Sequence, residues 1–249
     1  MTKFNPMKHG VPILKRLYPS FRKRLAQIFW RGGYTVVSSS GALFLVNYRN
    51  FLDRQIAFYG DYEADQIAYL ISAMGERGCE LFLDIGANIG IYSVLVGRAG
   101  LAQRIVAFEP APRILHQLGA NLLINGLTGR VEVVAKAVSN RSGTVPFQFY
   151  ADSSTGQSPM VDSGAVDSVD AIRIDDYIQL RGATIFAKID VEGHEAAVID
   201  GMAETFRTNR VFLQIESFPG QFEKLSEMLV AQAFRDLHSI GDDHYFANF

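Results

Sequence analysis

One cysteine, Cys79, is all that this 249-residue chain carries. A lone thiol excludes a disulfide framework and a cysteine-rich zinc site, and it fits a reducing, cytoplasmic setting. Charge of one sign is missing from the start, because no acidic residue precedes Asp53. No uninterrupted apolar run is long enough to span a bilayer, and the first residues lack a secretory apolar region with a cleavage site. The net charge of −2 gives no global pull towards nucleic acid. With 48% hydrophobic residues the core needs no covalent staple.

What the start does hold is basic and apolar together. The segment ILKRLYPSFRKRLAQIFW mixes Lys15, Arg16, Arg22, Lys23 and Arg24 with Ile13, Leu14, Phe21, Leu25, Ile28 and Trp30. It reads as an amphipathic helix interrupted by Pro19. The simpler expectation is a helix that packs its apolar side and solvates its charges. The alternative is peripheral contact of residues 3–31 with the inner face of a membrane.

Further on, YTVVSSSGALFLVNY reads as a hairpin turning at Ser39-Ser40-Gly41. Apolar spacing predicts a helix over Glu63 to Met74. Strand and helix then alternate. LFLDI, RIVAF, VEVVAKAV, TVPFQFY, IFAKID and RVFLQIE are strands; IYSVLVGRAG, APRILHQLGANLLING, EAAVIDGMAETFR and QFEKLSEMLVAQAF are helical. VDAIRIDDYIQL is a strand leading into a short helix, and the aromatic tail closes the sheet as one or two antiparallel strands. Such alternation implies an α/β fold with a doubly wound, mostly parallel sheet, Rossmann-like, covered on both faces. Residues 1–60 are expected to form an extension of basic helix and hairpin, and residues 61–249 the main domain.

In sheets of this kind ligands bind beyond the carboxyl ends of the strands. The first main strand runs into DIGANIG, from Asp84 to Gly90, and the second into FEP, with Glu109 nineteen positions after Gly90. Gly86 and Gly90 would let the backbone turn against a ligand, and Glu109 would accept hydrogen bonds from ribose hydroxyls. A dinucleotide would ask for Gly-x-Gly-x-x-Gly, but Asn88 and Ile91 stand at its second and third glycine places. S-adenosylmethionine, which has a ribose but no phosphate, fits better. Asp84 could face its ammonium and the loop amides its carboxylate.

LFLDIGANIGIYS, IVAFEP, AKAVSNRSG and above all KIDVEGHE resemble the FkbM-type methyltransferases, from about Tyr62, including GDYEADQ, to about Ser217. The resemblance implies a class I methyltransferase fold and O-methylation, often of sugar hydroxyls on polysaccharides, glycolipids or natural products. It also implies a donor site of Asp84, Gly86, Ala87, Asn88, Gly90, Glu109, Pro110 and Asp190, with Lys136 to Val138, Ala137 among them, near the adenine.

The stretch FAKIDVEGHEAAV puts Lys188, Asp190, Glu192 and His194 at alternate places of an apolar strand. Unpaired charge is costly in a core, so these groups are expected to face a site. Asp190 is the expected orienting group. His194 is the natural proton acceptor, with Glu192 and a desolvated Lys188 as rivals, and Glu216 at the end of RVFLQIE could join them. The blander reading has Lys188 paired with Glu216 as structural glue, His194 as a cap, and Glu195 as helix-end stabilisation. Asp190, Glu192, His194 and Glu216 could instead hold a magnesium ion, the lesser alternative. Tyr59, Tyr62, Tyr150 and the polar loop Asp152–Ser163 are candidates for a wall against a small-molecule or glycan acceptor. Competing functions are a nicotinamide oxidoreductase, a non-catalytic membrane or polymer module, and an RNA ribose methylase, which the mild acidity disfavours.

Overall fold

The computed structural model describes residues 33–60, 62–147, 167–218 and 220–249. The basic amphipathic segment, Tyr150 and the loop Asp152–Ser163 lie outside those residues.

The hairpin forms where expected, as antiparallel strands β1 (Thr35–Ser39) and β2 (Ala42–Val46). Ser40 and Gly41 both take positive φ, the conformation a two-residue hairpin turn requires. Next comes a helix that apolar periodicity did not flag, α1 (Phe51–Tyr59), and then α2 (Ala64–Arg77). The alternation begins with β3 (Cys79–Ile85), α3 (Ile91–Ala99), β4 (Ala102–Phe108), α4 (Pro112–Ile124) and β5 (Val131–Val134). It resumes with β9 (Thr184–Ile189), α6 (Glu195–Asp200), α7 (Ala203–Thr208), β10 (Arg210–Glu216), α8 (Phe222–Val230), β11 (Arg235–Ile240) and β12 (Asp243–Ala247). Between these halves lie β6 (Ala137–Val138), β7 (Gly143–Phe147), β8 (Asp167–Ile172) and the short α5 (Ile174–Tyr177).

Seven strands form the main sheet in the order β11-β12-β10-β9-β3-β4-β5. The five from β10 to β5 are parallel, and β12 runs antiparallel to both its neighbours. From β3 the chain winds outward through β4 and β5; from β9 it winds the other way. The reversal between β3 and β9 opens a crevice at their carboxyl ends.

Side chains at odd positions, such as Leu83, Ala187 and Leu213, pack beneath α6, α7 and α8. Those at even positions, such as Phe82, Phe186 and Phe212, pack beneath α2 and α3. On this second face the register also aligns Asp84, Lys188 and Gln214 side by side one pair further along. The apolar stack therefore gives way to a polar row at the crevice.

One expectation needs correction. VEVVAKAV is not one strand: Lys136 N–H donates to Val134 O (2.8 Å), and β6 leaves to pair with β8 in a separate three-stranded sheet. Since β5 is the edge of the main sheet, no further strand holds its continuation in line. The hairpin and α1 pack against the helices that follow β3 and β4. Phe44, Val46, Leu52 and Ile56 share the core beneath α3 and α4. Gln117 donates to Leu45 O (2.7 Å) and to Asp53 (2.9 Å), and the Asn121 carbonyl accepts Leu45 N–H (2.7 Å).

Candidate active site

Two cavities adjoin at the crevice. The first is lined by Gly86, Glu109, Pro110, Lys136, Ala137, Val138 and Phe147. The second, about 330 Å³, is lined by Tyr62, Glu63, Ala87, Tyr92, Lys188 and Glu216, with Phe51 and Phe218. Asn88, Asp190 and Glu192 line both and form the shared wall.

The turn after β3 is held by its own chain. Gly86 and Ala87 donate N–H to Phe108 O (3.1 and 2.9 Å), and Gly90 to Ala87 O (2.8 Å). Both oxygens of Glu109 are engaged, accepting the Asn88 (3.0 Å) and Ala111 (2.8 Å) amides. Glu109 thereby ties the tips of β3 and β4 together while still lining the first cavity. Burial pushes its carboxyl up to about 7, against the pull of those two amides. Four amides expected to greet a ligand carboxylate thus have partners within the chain.

The glycines also answer to the protein. A Cβ on Gly86 would lie 1.8 Å from the Asp190 carbonyl oxygen, and one on Gly90 would lie 2.3 Å from Leu118 Cδ1. Both have φ above +80° or equal to it. These are places where strand tip meets strand tip and helix meets helix, and Gly90 lines neither cavity.

Asp84 sits under the floor. It is 1% exposed, and its Oδ2 accepts the Ser93 amide (2.9 Å) and hydroxyl (2.6 Å), fastening the amino-terminal turn of α3. Its Oδ1 and the Asn88 Oδ1 are both buried without a partner. The second of these sits on the shared wall, where a ligand donor would satisfy it.

Lys188 is the hub of the second cavity. Its ammonium, almost wholly buried, contacts Asp190 Oδ2 at 2.6 Å and rests over the Tyr92 ring at 5.1 Å from the centroid. Glu63 and Asp84 also draw on it. Burial alone would push its proton off, yet these carboxylates hold the amine protonated far above the ordinary lysine range. Lys188 pairs with Asp190 rather than with Glu216, which corrects the structural-glue expectation. Behind it, Gln214 Nε2 donates to Tyr92 Oη (2.6 Å) and Asp243 Oδ1 (2.8 Å).

The carboxylates around it are crowded. Glu192 is pushed up to about 7 by burial and by Asp190, and Glu216 to about 9 by the same two causes. Glu192 lies beyond β9, in a turn at φ +51°, so it does not share the strand face with Lys188. Glu63 (+50°) and Asn88 (+50°) are also left-handed, a conformation uncommon for side-chain-bearing residues. Three such residues border one cavity, and strained backbone gathers at functional sites.

His194 is placed elsewhere. Its Nε2 meets the Ser139 hydroxyl at 2.9 Å, and it lines neither cavity. The expectation rested on the ordinary titration range of histidine, and the turn at Glu192 and Gly193 carries the residue to the start of α6. Glu195 accepts the Gly193 amide (2.9 Å), as a helix-end group should. Among the described residues, no group of His, Cys, Asp and Glu is arranged to hold a metal ion. Tyr62 lines the second cavity, whereas Tyr59 is 65% exposed outside it. Glu63, Tyr92, Gln214 and Asp243 escaped the sequence reading. Glu63 and Tyr92 fall within the quoted stretches GDYEADQ and LFLDIGANIGIYS, and Gln214 within RVFLQIE.

The reversed parallel sheet with its last strand antiparallel, and paired cavities at the reversal, define a Rossmann-like methyltransferase fold of class I. A solved S-adenosylmethionine-dependent methyltransferase from Agrobacterium tumefaciens shares that fold, with a TM-score of 0.51 over 87% of this chain and 69% of that one, at 10% identity. A model of the Methyltransferase FkbM domain matches residues 84–240, and the chain belongs to that family. It stands among methyltransferases, not nicotinamide oxidoreductases.

The 31-O-demethyl-FK506 methyltransferase FkbM of Streptomyces tacrolimicus is 25% identical over 67% of this chain and 76% of its own length. The hexuronic acid methyltransferase AglP of Haloferax volcanii is 25% identical over 62% of this chain and 63% of its own. One further curated relative matches over only 26% of its length. Among the described residues no helix is long and apolar enough to cross a membrane.

Proposed function

We propose that the chain transfers a methyl group from S-adenosylmethionine to a hydroxyl of a sugar, polysaccharide, glycolipid or related natural product. The observation that carries this reading is the shared wall of Asn88, Asp190 and Glu192 between two cavities of different character. A donor and an acceptor must meet across a narrow, water-poor boundary, and alignment there supplies roughly 7–11 kcal/mol of barrier reduction. The relative from Streptomyces tacrolimicus is named for a 31-O-demethyl compound, which agrees with oxygen as the acceptor, and that from Haloferax volcanii for a hexuronic acid, which agrees with a sugar.

The residues of the first cavity fit the donor. Glu109 can take further hydrogen bonds, Ala137 and Phe147 give apolar walls, and the orphaned Asn88 Oδ1 accepts a donor group. When bound, S-adenosylmethionine supplies an electrophilic methyl group. Asp190, pinned by Lys188, holds one geometry on the boundary. Glu192 is the base, because it faces both cavities and gives up its own proton near neutral pH. In the empty site Glu216 keeps its proton at neutral pH, and His194 lines neither cavity.

The test is titration with S-adenosylmethionine, followed by incubation of labelled donor with glycan extracts and mass spectrometry of the products. Saturable donor binding, weakened about tenfold by Glu109→Gln, and label in a base-stable methyl ether are expected. A wild-type chain that binds no donor would overturn the reading.

A further inference from the structure

The second cavity gathers more carboxyl groups than donor binding accounts for. Glu63, Asp190, Glu192 and Glu216 line it, against Lys188 as the cation among the described lining residues. Asp190 already takes that ammonium at 2.6 Å. Glu63 and Glu216 line this cavity and not the first, so they stand on the acceptor's side of the wall.

Aromatic rings supply an independent sign of the same preference. Tyr62 and Tyr92 face the cavity, and Phe51 and Phe218, about half exposed, stand at its mouth. Ring faces attract cations, and their apolar area matches the C–H face of a sugar. The cavity has already declared what it stabilises. Lys188 Nζ sits over the Tyr92 ring, deeply buried, and remains protonated where burial alone would neutralise it.

Resting on the methyl-transfer reading, we propose that this cavity selects an acceptor bearing an ammonium group beside the reacting hydroxyl, such as an amino sugar, and rejects acceptors bearing a carboxylate or phosphate there. Here the chain parts from the hexuronic acid named for one relative. An anion would crowd carboxyl groups already pushed towards protonation, whereas an ammonium would be drawn by Glu63, would favour the ionised form of Glu216 and would be covered by Tyr62. Such a cation also stabilises the ionised form of Glu192, the form that accepts a proton.

The experiment uses the whole chain saturated with S-adenosylhomocysteine, which cannot donate methyl. Binding of three methyl glycosides is followed by ligand-observed NMR in neutral buffer of low ionic strength: the glucosaminide, the glucoside and the glucuronide. The glucosaminide is expected to bind about tenfold tighter than the glucuronide, with the preference shrinking as salt is added. Glu63→Gln should reduce it severalfold and Glu216→Gln, which loses only the ionisation that the ammonium induces, by less, and two variants guard against one that fails to fold. Equal binding of the two charged glycosides, a preference for the glucuronide, or no binding of any glycoside overturns the proposal. Since nucleoside binding is read separately, its loss would instead count against the methyl-transfer reading.

Discussion

The two cavities share a wall but are built by different means. The first is a product of backbone: two strand tips laced by Glu109, a glycine turn with no room for a Cβ, and the displaced β6 as a lid. The second is a product of side chains from five separate segments, gathered around one buried lysine. A backbone cradle repeats wherever the same turn is needed, while a side-chain cavity can vary in charge without disturbing the sheet. Under the proposed methyl transfer, general donor chemistry falls to the first and acceptor choice to the second.

Removing Lys188 should break that comparison most severely. Lys188→Met strands Asp84, Asp190 and Glu63 without their shared cation, and the expected loss is about 3–5 kcal/mol of stability. Chemical denaturation should show it as a lower midpoint, and donor binding should fall with it because Asp190 is freed from the wall.

Glu192→Gln should sharpen the comparison through pH. The folded carboxyl titrates at about 7, above its ordinary 4.5, so its stabilising share is complete below the lower value and is lost as pH rises through the upper one. The glutamine variant avoids that loss. It should be more stable than wild type by about 1 kcal/mol above pH 7, allowing for solvent screening, and match it below pH 4.5. Its transfer rate should drop by about two to four decades, without the wild-type rise through neutrality. Thermal melts and rate profiles over pH measure both.

The smallest effect belongs to His194. Losing the contact with Ser139 should cost about 1 kcal/mol. His194→Ala should leave donor affinity and transfer rate near wild type, and a rate collapse would return the histidine to the mechanism.

The gap between motif and geometry follows from the same division. Asp84, Gly86 and Glu109 were legible because strand–turn–helix grammar dictates them locally, although Gly86 also answers to the Asp190 carbonyl and Gly90 lies against Leu118 outside both cavities. His194 is picked out by the titration range of its residue type alone, whereas the left-handed turn at Glu192 beyond β9 decides that it meets Ser139. Glu63, Tyr92, Gln214 and Asp243 gave little sign, since each looks ordinary beside its own neighbours.

Periodicity and turn residues specified alternating strands and helices, the glycine turn and the acid at each strand tip, because those depend on neighbours along the chain. Only the folded sheet decided that Asp84, Lys188 and Gln214 would stand in one row and that Glu63 and Asp243 would close around them. Charges brought together across such sequence distances interact through a low-dielectric interior, and that interaction exists only once the strands are in register.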